Sequence, residues 1–259
     1  MIPRWMTAKV MCSLVLVWAL VTPVIAQESD ERSVGRGSAP ALDQLKAGLG
    51  SMNQGEFEEA YRHFERALDR ASTSELRYQA NLGMGTAAAS LGRFDDAQSA
   101  YENALAIKPD DAATLFSMGL LAKQQGRLDA AATFFARAAV RDSALGAALV
   151  ELGVVYAQLG RHEDSADACW RAVTVDPNDV RALLCLGVAR YHLGLYAQAL
   201  QAFEAVVEIE PENSRAVYGV GLARLYQEDR DGAMVQYELL KELNPDLAAD
   251  LFALMNPDR

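Results

Sequence analysis

Residues Val180 to Asn213 read VRALLCLGVARYHLGLYAQALQAFEAVVEIEPEN, and this stretch decides the fold. It contains two apolar patterns of helical period. The first puts Leu183, Leu186, Gly187 and Arg190 on one face, and the second does the same for Tyr196, Ala199, Leu200 and Phe203. Gly194 interrupts between them and Pro211 closes the unit, so the stretch predicts a helix, a turn and a second helix.

Moving the window by 34 residues brings the pattern back. Counted from the first residue of each unit, place eight holds Gly48, Gly85, Gly119, Gly153, Gly187 and Gly221. Place twenty holds Ala60, Ala97, Ala131, Ser165, Ala199 and Ala233, and place twenty-four holds Phe64, Tyr101, Phe135, Cys169, Phe203 and Tyr237. Place twenty-seven holds Ala67, Ala104, Ala138, Ala172, Val206 and Leu240. A fixed period at several independent places marks a repeat array. The units run over 41–74, 78–111, 112–145, 146–179, 180–213 and 214–247. Three added residues within Ala71 to Arg77 separate the first two units and are expected to lengthen their turn without breaking the stack.

The pattern resembles the tetratricopeptide repeat, W-x2-L-G-x2-Y followed by Ala, Phe and Pro. Leu149, Leu152, Gly153 and Tyr156 form the fullest copy, with leucine in place of tryptophan. The closing proline stands at Pro109, Pro177, Pro211 and Pro245, and Ser72 and Ser143 take that place in the other two units. The resemblance implies an all-α fold, a right-handed superhelical solenoid of six helix-turn-helix repeats with a C-terminal capping helix. Small residues at places eight, twenty and twenty-seven let the helices approach closely, and stability comes from stacked neighbours. The last unit departs most, with Glu228 and Arg230 where glycine and an aromatic are usual. Beyond the array, residues 248–259 are assigned to the cap and tail. Asp246 to Met255, DLAADLFALM, puts Leu247, Leu251 and Met255 on one side to dock on the final unit, with Phe252 and Leu254 widening that surface. A dimer contact is the alternative use of the same helix.

The chain is 51% hydrophobic with a net charge of −11, and it has no run of Lys or Arg. That balance argues against nucleic acid and against an anionic membrane surface as partners. Met1 to Ala26 has Arg4 and Lys9, then the apolar Val10 to Leu20, then Val24-Ile25-Ala26, which predicts a secretory signal cleaved after Ala26. The expected location is therefore outside the cytoplasm, with the bacterial periplasm or cell envelope first. Val10 to Ala26 is uncharged throughout, so an uncleaved N-terminal anchor is the alternative. Cys12 precedes most of the apolar run, which argues against a lipid attachment site. Gln27 to Pro40 reads as a flexible polar leader.

No catalytic constellation emerges. His63, His162 and His192 occupy different places in three units, and none has a second ligand at zinc spacing. No metal, cofactor or small-molecule substrate is expected, and an enzyme is the most remote reading. Cys169 and Cys185 form an even pair, which in an exported protein invites a disulfide. Cys169, however, takes the packed aromatic place, and Cys185 takes place six, which in the repeat family points inwards. Two buried or half-buried thiols are the expectation.

In proteins of this family the first helices line the concave face. Place five holds Leu45, Leu82, Phe116, Val150, Leu184 and Tyr218. Place nine holds Leu49, Thr86, Leu120, Val154, Val188 and Leu222, apolar in all but one unit. An apolar stripe rimmed by polar residues marks a partner site. Its alternatives are burial against neighbouring first helices, or occupation by the leader or the C-terminal helix. Arg181 and Arg215 at place two edge the stripe, and Asp179 and Glu212 nearby are expected to neutralise them. Family members that grip a peptide's terminal carboxylate use Lys and Asn where Leu45 and Leu49 stand here, so that clamp is absent. The expected partner is an apolar helix or extended segment of a protein. The function expected is an exported scaffold or adaptor, with self-association through the groove or the Phe252 helix as runner-up.

Overall fold

The computed structural model describes residues 39–142 and 146–256. The expected signal (1–26), the leader as far as residue 38, and Ser143 at its closing place lie outside these residues. Among the described residues the chain is all-α, with helices joined by turns and no strand. It divides at Ser143 into two compact units.

The first unit holds α1 (Ala39–Gln54), α2 (Phe57–Arg70), α3 (Ser74–Ser90), α4 (Phe94–Ile107), α5 (Ala112–Gln124) and α6 (Leu128–Arg141). The second holds α7 (Gly146–Gln158), α8 (His162–Val175), α9 (Val180–His192), α10 (Tyr196–Ile209), α11 (Ser214–Leu225), α12 (Arg230–Leu243) and α13 (Pro245–Met255). Odd-numbered helices to α11 are the first helices of the repeats. Several start on a side-chain cap that satisfies a free backbone N–H. Asp111 Oδ2 accepts from the Thr114 N–H at 2.8 Å, Asn213 Oδ1 from Ala216 at 3.1 Å, and Asp179 Oδ1 from Arg181 at 2.8 Å.

The turn between the two helices of a repeat needs one residue of left-handed backbone. In the fifth repeat Gly194 supplies it, at φ 73°, but in the sixth Glu228 is held at φ 66°. An L-residue there costs about 1–2 kcal/mol, partly offset because glycine has more unfolded-state freedom to lose. Glu228→Gly should therefore stabilise the protein by about 0.5–1 kcal/mol, read as a higher urea midpoint at unchanged m-value.

In the first, second, third and fifth repeats the aromatic ring at place twenty-four packs on the glycine at place eight. The Phe203 ring lies against Gly187 of its own unit and Gly219 of the next. A methyl carbon on those glycines would stand 2.5 Å from Phe203 Cε1 and 2.7 Å from Phe203 Cδ1 respectively, so only hydrogen fits. Phe64 lies in the same way between Gly48 and Gly83. In the fourth repeat Ser165 replaces alanine at place twenty; its hydroxyl donates to the Gly153 carbonyl at 2.8 Å, so the buried oxygen is satisfied. At the C-terminal end, Pro245 opens α13 at a position where its missing N–H costs nothing. Ala248, Leu251 and Met255 are buried together with Val217, Ala233 and Leu240. Leu247 is half-buried there, Phe252 packs at 5.2 Å on Tyr237, and Leu254 stays 46% exposed. No helix among the described residues is long and apolar enough to cross a membrane.

Candidate partner-binding groove

The structure sorts the apolar stripe into interior and surface. In the first unit Leu45, Leu82 and Phe116 are buried and offer no open face. Leu45 shares a core cluster with Phe64, Leu82 shares one with Tyr101, and the Phe116 ring lies 5.5 Å from that of Phe135. In these repeats place five therefore packs on the aromatic of place twenty-four and belongs to the core. This corrects their assignment to a groove surface. Leu49 and Leu120 are half-buried.

In the second unit the first helices α7, α9 and α11 enclose a groove of about 760 Å³. Val150, Val154, Leu184, Val188, Tyr218 and Leu222 line it, together with Arg181 and Arg215. Val150 is buried at its floor, Val154, Leu184, Tyr218 and Leu222 are half-buried, and Val188 is 41% exposed. The volume falls within the usual range for ligand sites, about 300–1,000 Å³.

The two arginines differ. Arg181 is paired with Glu151 of α7, a carboxylate only 3% exposed, and not with Asp179, which is engaged in capping α9. Arg215 makes no ion pair or hydrogen bond among the described residues, with Glu212 or any other group. Away from the groove floor, Arg224 reaches Glu204 at 3.1 Å, and Arg190 donates to the Gln198 carbonyl at 3.4 Å.

Cys169 of α8 and Cys185 of α9 are joined as a disulfide, with Cα atoms 5.8 Å apart, where free thiols were expected. The repeat register explains the pairing. The residue at place twenty-four faces place six of the next repeat, as Phe203 faces Gly219 and Phe64 faces Gly83. Cysteines at these two places meet for the same reason. That rule was available in the 34-residue period, but it relates different units and is invisible within one.

The histidines show the same kind of inter-repeat relation. His162 and His192 stack with ring centroids 4.6 Å apart, and Tyr196 and Tyr226 stack at 5.0 Å at the corresponding places of the next pair. Burial, then the neighbouring His162, lowers the His192 pKa from its ordinary 6.5. A histidine that resists protonation only when folded contributes full stability above pH 6.5, and loses it as the pH falls towards the lowered value. Thermal stability should accordingly drop between pH 7 and pH 5 by more than in His192→Gln, a difference readable by calorimetry. Among the described residues no group of three or more His, Cys, Asp or Glu could hold a metal ion.

Family models of the tetratricopeptide repeat match residues 45–112 and 82–146, 147–179 and 180–213. No curated protein sequence matches the chain. Among solved structures, YrrB, described as a tetratricopeptide repeat protein with an unusual peptide-binding site, is 23% identical with a TM-score of 0.64, covering 72% of this chain and 96% of its own. PilF of Pseudomonas aeruginosa is 21% identical with a TM-score of 0.70, over 84% of this chain and 99% of its own. A tetratricopeptide repeat protein of Parabacteroides merdae is 16% identical with a TM-score of 0.66, over 84% and 86%. At such identities the likeness shows the fold alone.

Proposed function

The chain belongs to the tetratricopeptide repeat family, and on that footing we propose an exported adaptor that holds an apolar segment of a partner protein between α7, α9 and α11. Repeats of this kind serve as protein-interaction scaffolds. The observation that carries the finer reading is the groove itself. It keeps Val188 and parts of Val154, Leu184, Tyr218 and Leu222 in water, where covering them is worth about 25 cal/mol per Å². YrrB, a protein of this fold with a peptide-binding site, supports the same use. Recognition and assembly are the mechanism, with no covalent step and no cofactor. The apolar start and Val24-Ile25-Ala26 support export, with Gln27 as the first residue of the mature protein.

Val154→Glu with Val188→Glu should abolish partner capture in a crosslinking pull-down from the cell envelope, while the circular dichroism spectrum stays helical. Equal recovery by both proteins would sink the groove reading. N-terminal sequencing of the fractionated protein tests export, which predicts Gln27 and an extracytoplasmic fraction. A second reading, self-association, draws on the surface formed by Tyr237, Phe252 and Ala249 beside the exposed Leu254. Sedimentation of Phe252→Glu against the unaltered chain separates the two: a shift from oligomer to monomer belongs to self-association only.

A further inference from the structure

We infer that the segment held in this groove is internal to its own chain and carries one acidic side chain, Asp or Glu, and that Arg215 is the residue that pairs with it. The inference rests on the groove reading above and deepens it. Three observations carry it. First, in a chain with 35 acidic and 24 basic residues, the groove lining contains two arginines and no carboxylate. Second, Arg181 is neutralised within the protein, by Glu151, and Arg215 is not. Third, the repeat register says why. Both arginines stand at place two, and Glu151 stands at place six of the repeat before Arg181. The matching position before Arg215 is Cys185, whose sulfur is committed to the disulfide with Cys169. The fold thus repeats the cation one unit further on and omits its counter-ion.

An unpaired arginine on an open surface is ordinary. Arg215 stands instead among the apolar side chains that line the groove, where a bound segment excludes water and a charge-assisted hydrogen bond gains strength. First helices packed about 8–10 Å apart make the crossing from α7 to α11 about 16–20 Å, which five or six extended residues span. The lining continues on both sides of Arg215, to Arg181 and Val150 in one direction and Leu247 in the other. A chain ending at Arg215 would leave part of it uncovered, so the carboxylate belongs to a side chain and the segment runs on.

The test is selection of random dodecapeptides, displayed between flanking sequences so that no terminus is free, on the purified protein. Enriched peptides should be apolar with one Asp or Glu, and selection on Arg215→Glu should replace that acid by Lys or Arg. A selected peptide, acetylated and amidated, should bind Arg215→Glu about tenfold more weakly, and its acid-to-Lys version should recover the loss. Melting curves confirm that Arg215→Glu folds. Enrichment without an acidic preference, or a preference that Arg215→Glu leaves unchanged, overturns this inference; if Val154→Glu still abolishes binding, the groove reading survives it. No enrichment at all overturns both. In peptide-free protein, crosslinks from Val188→p-benzoylphenylalanine to residues 27–40 or to a second copy would give the groove a different occupant and also overturn it.

Discussion

Phe203→Ala should lower the unfolding free energy by about 4 kcal/mol, within the range seen when a buried aromatic is truncated. Phe203 is 3% exposed, packed with Ala199 and Val220, and bounded by Gly187 and Gly219. The glycines are what make the cost high. They have no side chains to swing into the void, and the backbones they belong to are fixed by helix hydrogen bonds, so the cavity stays open. Phe203→Leu fills part of it and should cost about 1–2 kcal/mol. Because repeats couple mainly to their neighbours, hydrogen exchange should show the protection lost in α9, α10 and α11 first. A loss below about 1 kcal/mol for Phe203→Ala would mean that the helices collapse around the space and that the ring does not set their separation.

Reducing the Cys169–Cys185 bond should cost about 3 kcal/mol. The crosslink closes a loop with a sequence separation of 16, and its removal returns that loop's freedom to the unfolded chain. The fourth repeat also relies on these sulfurs as filling. Cys169 takes the place of the aromatic ring and is fully buried, and Gly153 abuts both sulfur atoms. Dithiothreitol should therefore lower the melting temperature of the unaltered protein and leave that of Cys169→Ala/Cys185→Ala unchanged. Alkylation of both thiols in the unreduced, denatured protein would show that the bond does not form. Since Cys185 also lines the groove, reduction should weaken peptide capture together with stability.

The repeat period, the helix pairs and the close approach at the small residues were legible in the residues. The last two depend on spacing inside one unit, which a helix of fixed pitch turns into direction. The groove was legible only in part. Places five and nine are apolar except for Thr86, but burial depends on what a neighbouring helix brings to the same spot. Phe135 covers Phe116 and Phe64 joins Leu45 in one core, whereas Leu184, Val188 and Leu222 line the groove.

Residue order alone therefore specifies an all-α tetratricopeptide array and the residue types that close its packing. Tertiary structure decided the relations between repeats: the disulfide across places twenty-four and six, the stack of His162 on His192, and the pairing of Arg181 with Glu151. Asp179 lies two residues from Arg181 and was the obvious partner by sequence, yet its carboxylate is taken by the start of α9, while a carboxylate from the previous repeat reaches the guanidinium. Charges and thiols pair by distance in space, and in a stacked array the nearest group can belong to a neighbouring helix pair rather than to the same turn, as Glu151 does for Arg181.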